Sequence, residues 1–145
     1  MKKLFLLALT GLLCLFGSEV FAQISTDGTT TNSGASSTAS GLNALSSGNR
    51  SVALGQDLTA AGNNSVVLGW QSSTSAAGRE AVALGRDADV TARGGLSLGF
   101  DTNVRGSFAS AIGHRIDADG IRSTALGFEV ATSATQAVAI GNGRS

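Results

Sequence analysis

The stretches SVALG (51–55), SVVLG (65–69), AVALG (81–85) and AVAIG (137–141) are near copies of one another. The glycines that close the copies are Gly55, Gly69, Gly85, Gly99, Gly113, Gly127 and Gly141, spaced 14 residues apart except for 16 between Gly69 and Gly85. Gly41 extends the series upstream in a degenerate copy, TASG. The irregular interval reads as two extra residues between Trp70 and Thr74. Self-similarity at a fixed short period is the mark of a repeat architecture.

Aligned on the glycines, the copies form columns. The preceding column is Leu54, Leu68, Leu84, Leu98, Ile112, Leu126 and Ile140. Three residues before the glycine stand Val52, Val66, Val82, Leu96, Ser110, Thr124 and Val138, and between these columns runs a small one dominated by alanine. Alternation of bulky and small residues has the period of a β-strand. The bulky face, Val52 to Ile140, is expected to be the structural core of the repeat. The small face, with Ser51, Ser65 and Ser123 beside it, is expected to admit the backbone of another chain. Seven residues after the glycine a second small position recurs (Gly48, Gly62, Ala92, Gly106, Gly120, Ala134), so each copy holds a second, weaker strand and a second tight turn.

No apolar period of 3.6 continues for three turns, which excludes helices and crossover βαβ units. The interval is also wrong for a hexapeptide β-helix acyltransferase, and the threonines are too scattered for an ice-binding roll. The reading is an all-β fold: a parallel β-roll, or solenoid, in which each copy is one coil and equivalent residues stack about 4.8 Å apart. Residues 37–145 would hold about seven such repeats. Residues 23–36 are polar and of low complexity and read as a flexible leader. Residues 1–22 read as a signal peptide: Lys2 and Lys3, an apolar run from Leu4 to Phe16, and small residues before the cleavage point at Ala22. Export follows, to the cell surface or beyond, with no membrane span in the mature chain.

Beyond Ala22 there is no Cys, Lys or Tyr, and the whole chain lacks Pro. No disulfide can therefore form within the exported part. Eight arginines face nine acidic residues there, with no basic run, which argues against nucleic acid as a partner. His114 is the only histidine. A general base or a metal site needs partners that it lacks, so no catalytic residue, metal or cofactor is expected. Asp87-Ala-Asp89 and Asp117-Ala-Asp119-Gly120 lack the remaining ligands of a calcium loop and read as solvated turns.

The residue after each glycine varies most: Gln56, Trp70, Arg86, Phe100, His114, Phe128 and Asn142. Stacked on successive coils, Arg86 would lie between Trp70 and Phe100 within cation–π reach. Trp70, Arg86, Phe100, His114 and Phe128 form a candidate binding ridge, because aromatic residues and arginine are enriched at hot spots. The favoured reading of the same column is a self-stabilising surface ladder or a strip buried between protomers.

The repeated S/A-V-A-L/I-G pattern at 14-residue intervals resembles the head repeats of trimeric autotransporter adhesins, the YadA-like, Hep/Hag type, over residues 37–145. The resemblance implies a left-handed parallel β-roll, a homotrimer, and a virulence-associated place at the outer membrane surface of a Gram-negative bacterium. It implies adhesion to host extracellular matrix, cells or other bacteria, and no enzyme activity. Such adhesins continue into a coiled-coil stalk and a β-barrel anchor. Neither pattern stands in the sequence up to Ser145, so the expectation is a truncated part of a longer adhesin, a head used by another secreted assembly, or a released protein. A structural spacer or fibre segment is the alternative.

Overall fold

The computed structural model describes residues 23–24 and 30–143; the stretch read as a signal peptide lies outside them. The described residues form a parallel β-solenoid of about eight turns. One ladder runs along the front: β1 (Gln23–Ile24), β3 (Thr38–Ser40), β5 (Val52–Gln56), β7 (Val66–Trp70), β9 (Val82–Val90), β10 (Leu96–Val104), β11 (Ser110–Ala118), β12 (Thr124–Phe128) and β14 (Val138–Asn142). A back ladder is built from β2 (Thr31–Asn32), β4 (Leu45–Ser46), β6 (Thr59–Ala60), β8 (Ser73–Thr74), the second halves of β9, β10 and β11, and β13 (Ala131–Thr132). Every pairing is parallel and column-true: Leu54 pairs with Leu68, Leu68 with Leu84, and Gly99 with Gly113.

The repeat glycines are imposed by this stacking. Gly99 has a φ of 138°, and a Cβ there would be driven into the carbonyl oxygen of Gly113 on the next coil. Only glycine fits both the conformation and the approach. Each coil then turns on one residue in the left-handed region, such as Asp57 (φ 54°) after the front strand and Arg50 (φ 54°) before it. The ladder continues through both corners. Asp57 donates its N–H to the Leu42 carbonyl, and Asn64 donates to the Asn49 carbonyl. With the corners bonded, few backbone groups are left to solvent except at the two ends.

The interior reverses the expectation for the two faces of the front strand. The small column points inward: Ala53, Val67, Ala83, Ser97, Ala111 and Ala125 are all 0% exposed. The bulky column points out: Leu54 is 40% exposed, Leu98 39% and Ile140 71%. None of the twelve aliphatics from Val52 to Ile140 assigned to the repeat core is buried within the single chain. The reason is width. Sheets packed through large side chains stand about 10 Å apart, and a corner of two or three residues does not hold front and back that far apart. Four inward positions per coil must share the narrow space, so they are small or matched in size. Leu58 therefore sits with Ala53 and Ala60, and Gly95 leaves room for two valines. A Cβ on Gly95 would lie 2.6 Å from Val90 Cγ1 and 2.8 Å from Val104 Cγ1.

Two further expectations are corrected. Ser73 pairs with Thr59 and Thr74 with Ala60, so the register is unbroken from Trp70 to Thr74. The two extra residues fall later, in the turn Ser75–Gly78, where Gly78 donates its N–H to the Ser75 carbonyl. A turn absorbs an insertion that a ladder would not. The segment read as a leader also enters the roll: Gln23–Ile24 pairs with Ala39–Ser40, and Thr31–Asn32 with Leu45–Ser46. Its polar letters hide strands whose inward positions, Thr30 and Ser37, are buried hydroxyl residues.

Candidate functional site

Three outward features could carry function: the aliphatic stripe of the front ladder, the column beside it, and the charged corners.

The stripe is continuous. Val52, Leu54, Val66, Leu68, Val82, Leu84, Leu96, Leu98, Ile112, Leu126, Val138 and Ile140 follow one another up the front face, interrupted by Ser110 and Thr124. A contiguous exposed apolar face of this kind marks an interaction surface.

The next column, at the corner, is a stack. The Arg86 guanidinium carbon lies 4.2 Å from the Trp70 ring centroid and 5.0 Å from that of Phe100. His114 lies 4.9 Å from Phe100 and 4.9 Å from Phe128, with interplanar angles of 15° and 6°. The five side chains of the candidate ridge are thus brought together as one pile. Each ring or guanidinium face between the two ends is covered by its neighbours, so the pile presents edges outward. A sugar platform needs open faces, and the stack takes up those of Arg86, Phe100 and His114. Nδ1 of His114 is buried in the pile and makes no hydrogen bond. Arg86 also pairs with Asp87 at 3.3 Å.

The charged groups form short links between coils. Arg115 meets Glu129 at 2.7 Å, Arg93 meets Glu80 at 3.1 Å, and Arg105 reaches Asp119 at 2.9 Å and Asp117 at 3.4 Å. The hydrogen bond to Asp119 raises the Arg105 pKa; burial opposes it, and the charges of Asp119 and Asp117 add to the rise. All these pairs are exposed, so each adds little stability. Among the described residues no three His, Cys, Asp or Glu side chains are placed to hold a metal ion. Asp89 instead accepts a hydrogen bond from the Ser73 hydroxyl at 2.6 Å.

The family comparison places these coils. The model of the YadA head domain repeat (2 copies) matches residues 33–57, 60–88 and 118–143, more than half of the chain. The chain belongs to the YadA head family. Heads of this family are adhesin-like, homotrimeric and non-enzymatic in general. Comparison with curated proteins finds no match. Among the described residues no helix is long and apolar enough to cross a membrane.

Sequence reasoning missed which face lies inside the coil. The alternation gives two faces, and hydrophobicity alone picks the wrong one as the inner face. The signal that could have found it is the second strand. Its inward column, Ala44, Leu58, Ser72, Ala88, Thr102, Ile116 and Val130, carries a large residue only where the facing column is small.

Proposed function

We propose that this YadA-type head works as an exported homotrimer, displayed on the cell surface or secreted, that attaches bacteria to host extracellular matrix, host cells or other bacteria. The observation that carries this reading is the uncovered aliphatic stripe along the front ladder. Two further copies would cover it and supply the apolar burial that the single coil reserves for its outside. Three identical outer faces, each built of stacked coils, then turn weak contacts into avidity. The candidate ridge borders the stripe, and its ring faces are taken up by stacking. It is assigned to the contact between protomers, and adhesion to the polar outside of the back ladder.

The test is mass and binding together. The chain should sediment as a trimer and coat matrix proteins or cells. A Leu68→Arg/Leu98→Arg variant should be monomeric and lose attachment. A monomeric parent, or a monomeric variant that attaches as well as the parent, would defeat the reading. A second reading is a spacer or fibre segment. The closed stacking of the ridge favours it, and a trimer that binds no matrix or cell surface would select it.

A further inference from the structure

At two levels the corners of the coil carry opposite charge: Arg50 stands before the front strand and Asp57 after it, and Arg122 before and Glu129 after. At the levels of Asp87 and Asp101 the left-handed residue before the strand is Glu80 and Gly94, with Arg79 and Arg93 one residue ahead. Each acid follows its arginine by seven or eight residues, across one front strand. Asn64 precedes Gln71 at a neutral level, and Phe108 precedes Arg115, which pairs with Glu129 on the next coil. Within one chain these partners cannot meet, because a strand of this length holds them about 20 Å apart at about 3.3 Å per residue. Among the described residues, Arg50, Arg79 and Arg122 make no ion pair, and neither do Asp57 and Asp101. Asp57 accepts hydrogen bonds from the side-chain amides of Asn43 and Gln56.

We infer that the Arg50 and Arg122 levels of one corner are charge-matched to the Asp57 and Glu129 levels of the opposite corner of a second copy of this chain, and that this sets the register of the assembly. The inference rests on the homotrimer reading. In a closed ring whose axis runs along the roll, copies stand at equal height, and one corner of each meets the other corner of the next. Arg50 of one copy then faces Asp57 of its neighbour, offset by about half a coil, roughly 2.4 Å of the ladder spacing. Arg122 faces Glu129 in the same way, and Phe108, 50% exposed, faces the guanidinium of Arg115. An antiparallel pair about a two-fold along the strands would set each corner against its own like charges. The apolar stripe gives the copies adhesion; the corners tell them which way up to stand and reject a slip by one coil, because Asn64 and Gln71 interrupt the charged levels.

The test uses the full chain in a Cys14→Ser background. Arg50→Cys together with Asp57→Cys should give a covalent trimer on mild oxidation. Arg50→Asp alone and Asp57→Arg alone should each lower the concentration stability of the trimer about tenfold or more, and the double swap should return it to within about threefold of the parent. Arg122→Glu with Glu129→Arg repeats the cycle at another level. A trimeric parent that forms no cross-link, or a double swap as weak as the sum of its singles, overturns this inference and leaves the homotrimer standing. A monomeric parent overturns both.

Discussion

Two parts of the same roll fill their interiors differently. Between Ser37 and Thr74 the inward positions are rich in hydroxyls. Ser51 bonds Ser46 at 2.7 Å and the Gly48 carbonyl at 2.6 Å, and Thr74 bonds Ser65 at 3.0 Å. From Ala81 to Ala118 the interior is mostly aliphatic, with Val90, Val104 and Ile116 set against Ala81, Gly95 and Ala111. Only Ser97 and Thr102 bring hydroxyls there, and they satisfy one another at 2.6 Å. In the second part front and back merge into nine-residue strands, β9, β10 and β11. The family match covers the first part nearly throughout and passes over residues 89–117. The backbone coil is nonetheless continuous through both. The coil therefore asks for small, mutually fitted and internally bonded side chains, and more than one set of letters supplies them.

The comparison can be broken first at what both parts share. Gly99→Ala should abolish the cooperative unfolding transition or cost about 4 kcal/mol or more, read by circular dichroism in urea, because the new Cβ meets backbone that cannot move aside. An unchanged midpoint would mean that the coils are not in close register. Next comes the aliphatic part. Gly95→Ala should cost about 1–3 kcal/mol by overpacking, and adding Val104→Ala should recover part of the loss; no recovery would place the strain elsewhere.

The hydroxyl part should respond more weakly. Ser51→Ala should cost about 1 kcal/mol, since it leaves the Ser46 hydroxyl and the Gly48 carbonyl each short of a bond. The reverse change, Ala109→Ser in the aliphatic part, should destabilise by a similar amount, because no hydroxyl is provided across from it. If both variants match the parent, the two interiors are interchangeable and the distinction fails. The smallest effect belongs to the outer stack. Arg86→Ala should lower stability by about 0.5–1 kcal/mol, and Arg86→Lys should restore less than half of that.

Much of this was legible in the letters. The glycine interval fixed the coil length and hence which residues would stack, so the order Trp70, Arg86, Phe100, His114, Phe128 could be read before any coordinate. Strand type followed from alternation, and the exclusion of helices from the missing 3.6 period. The place of the insertion was not legible, because Ser73–Thr74 and Ala76 are equally plausible small residues for the inward column. Nor was the entry of Gln23–Ile24 and Thr31–Asn32 into the roll, since short polar strands have the composition of a linker.

By itself, then, the sequence determined the period and the stacked columns of the front ladder from Gly41 onward, because those depend only on positions along one chain. The tertiary structure decided which face of the alternation is inside. That choice depends on how close the front and back strands lie, and this distance is set jointly by two short corners, four inward side chains per coil and the glycine-to-glycine approach of neighbouring coils. It also decided that arginine and carboxylate seven residues apart lie at opposite corners, out of reach of one another within the chain.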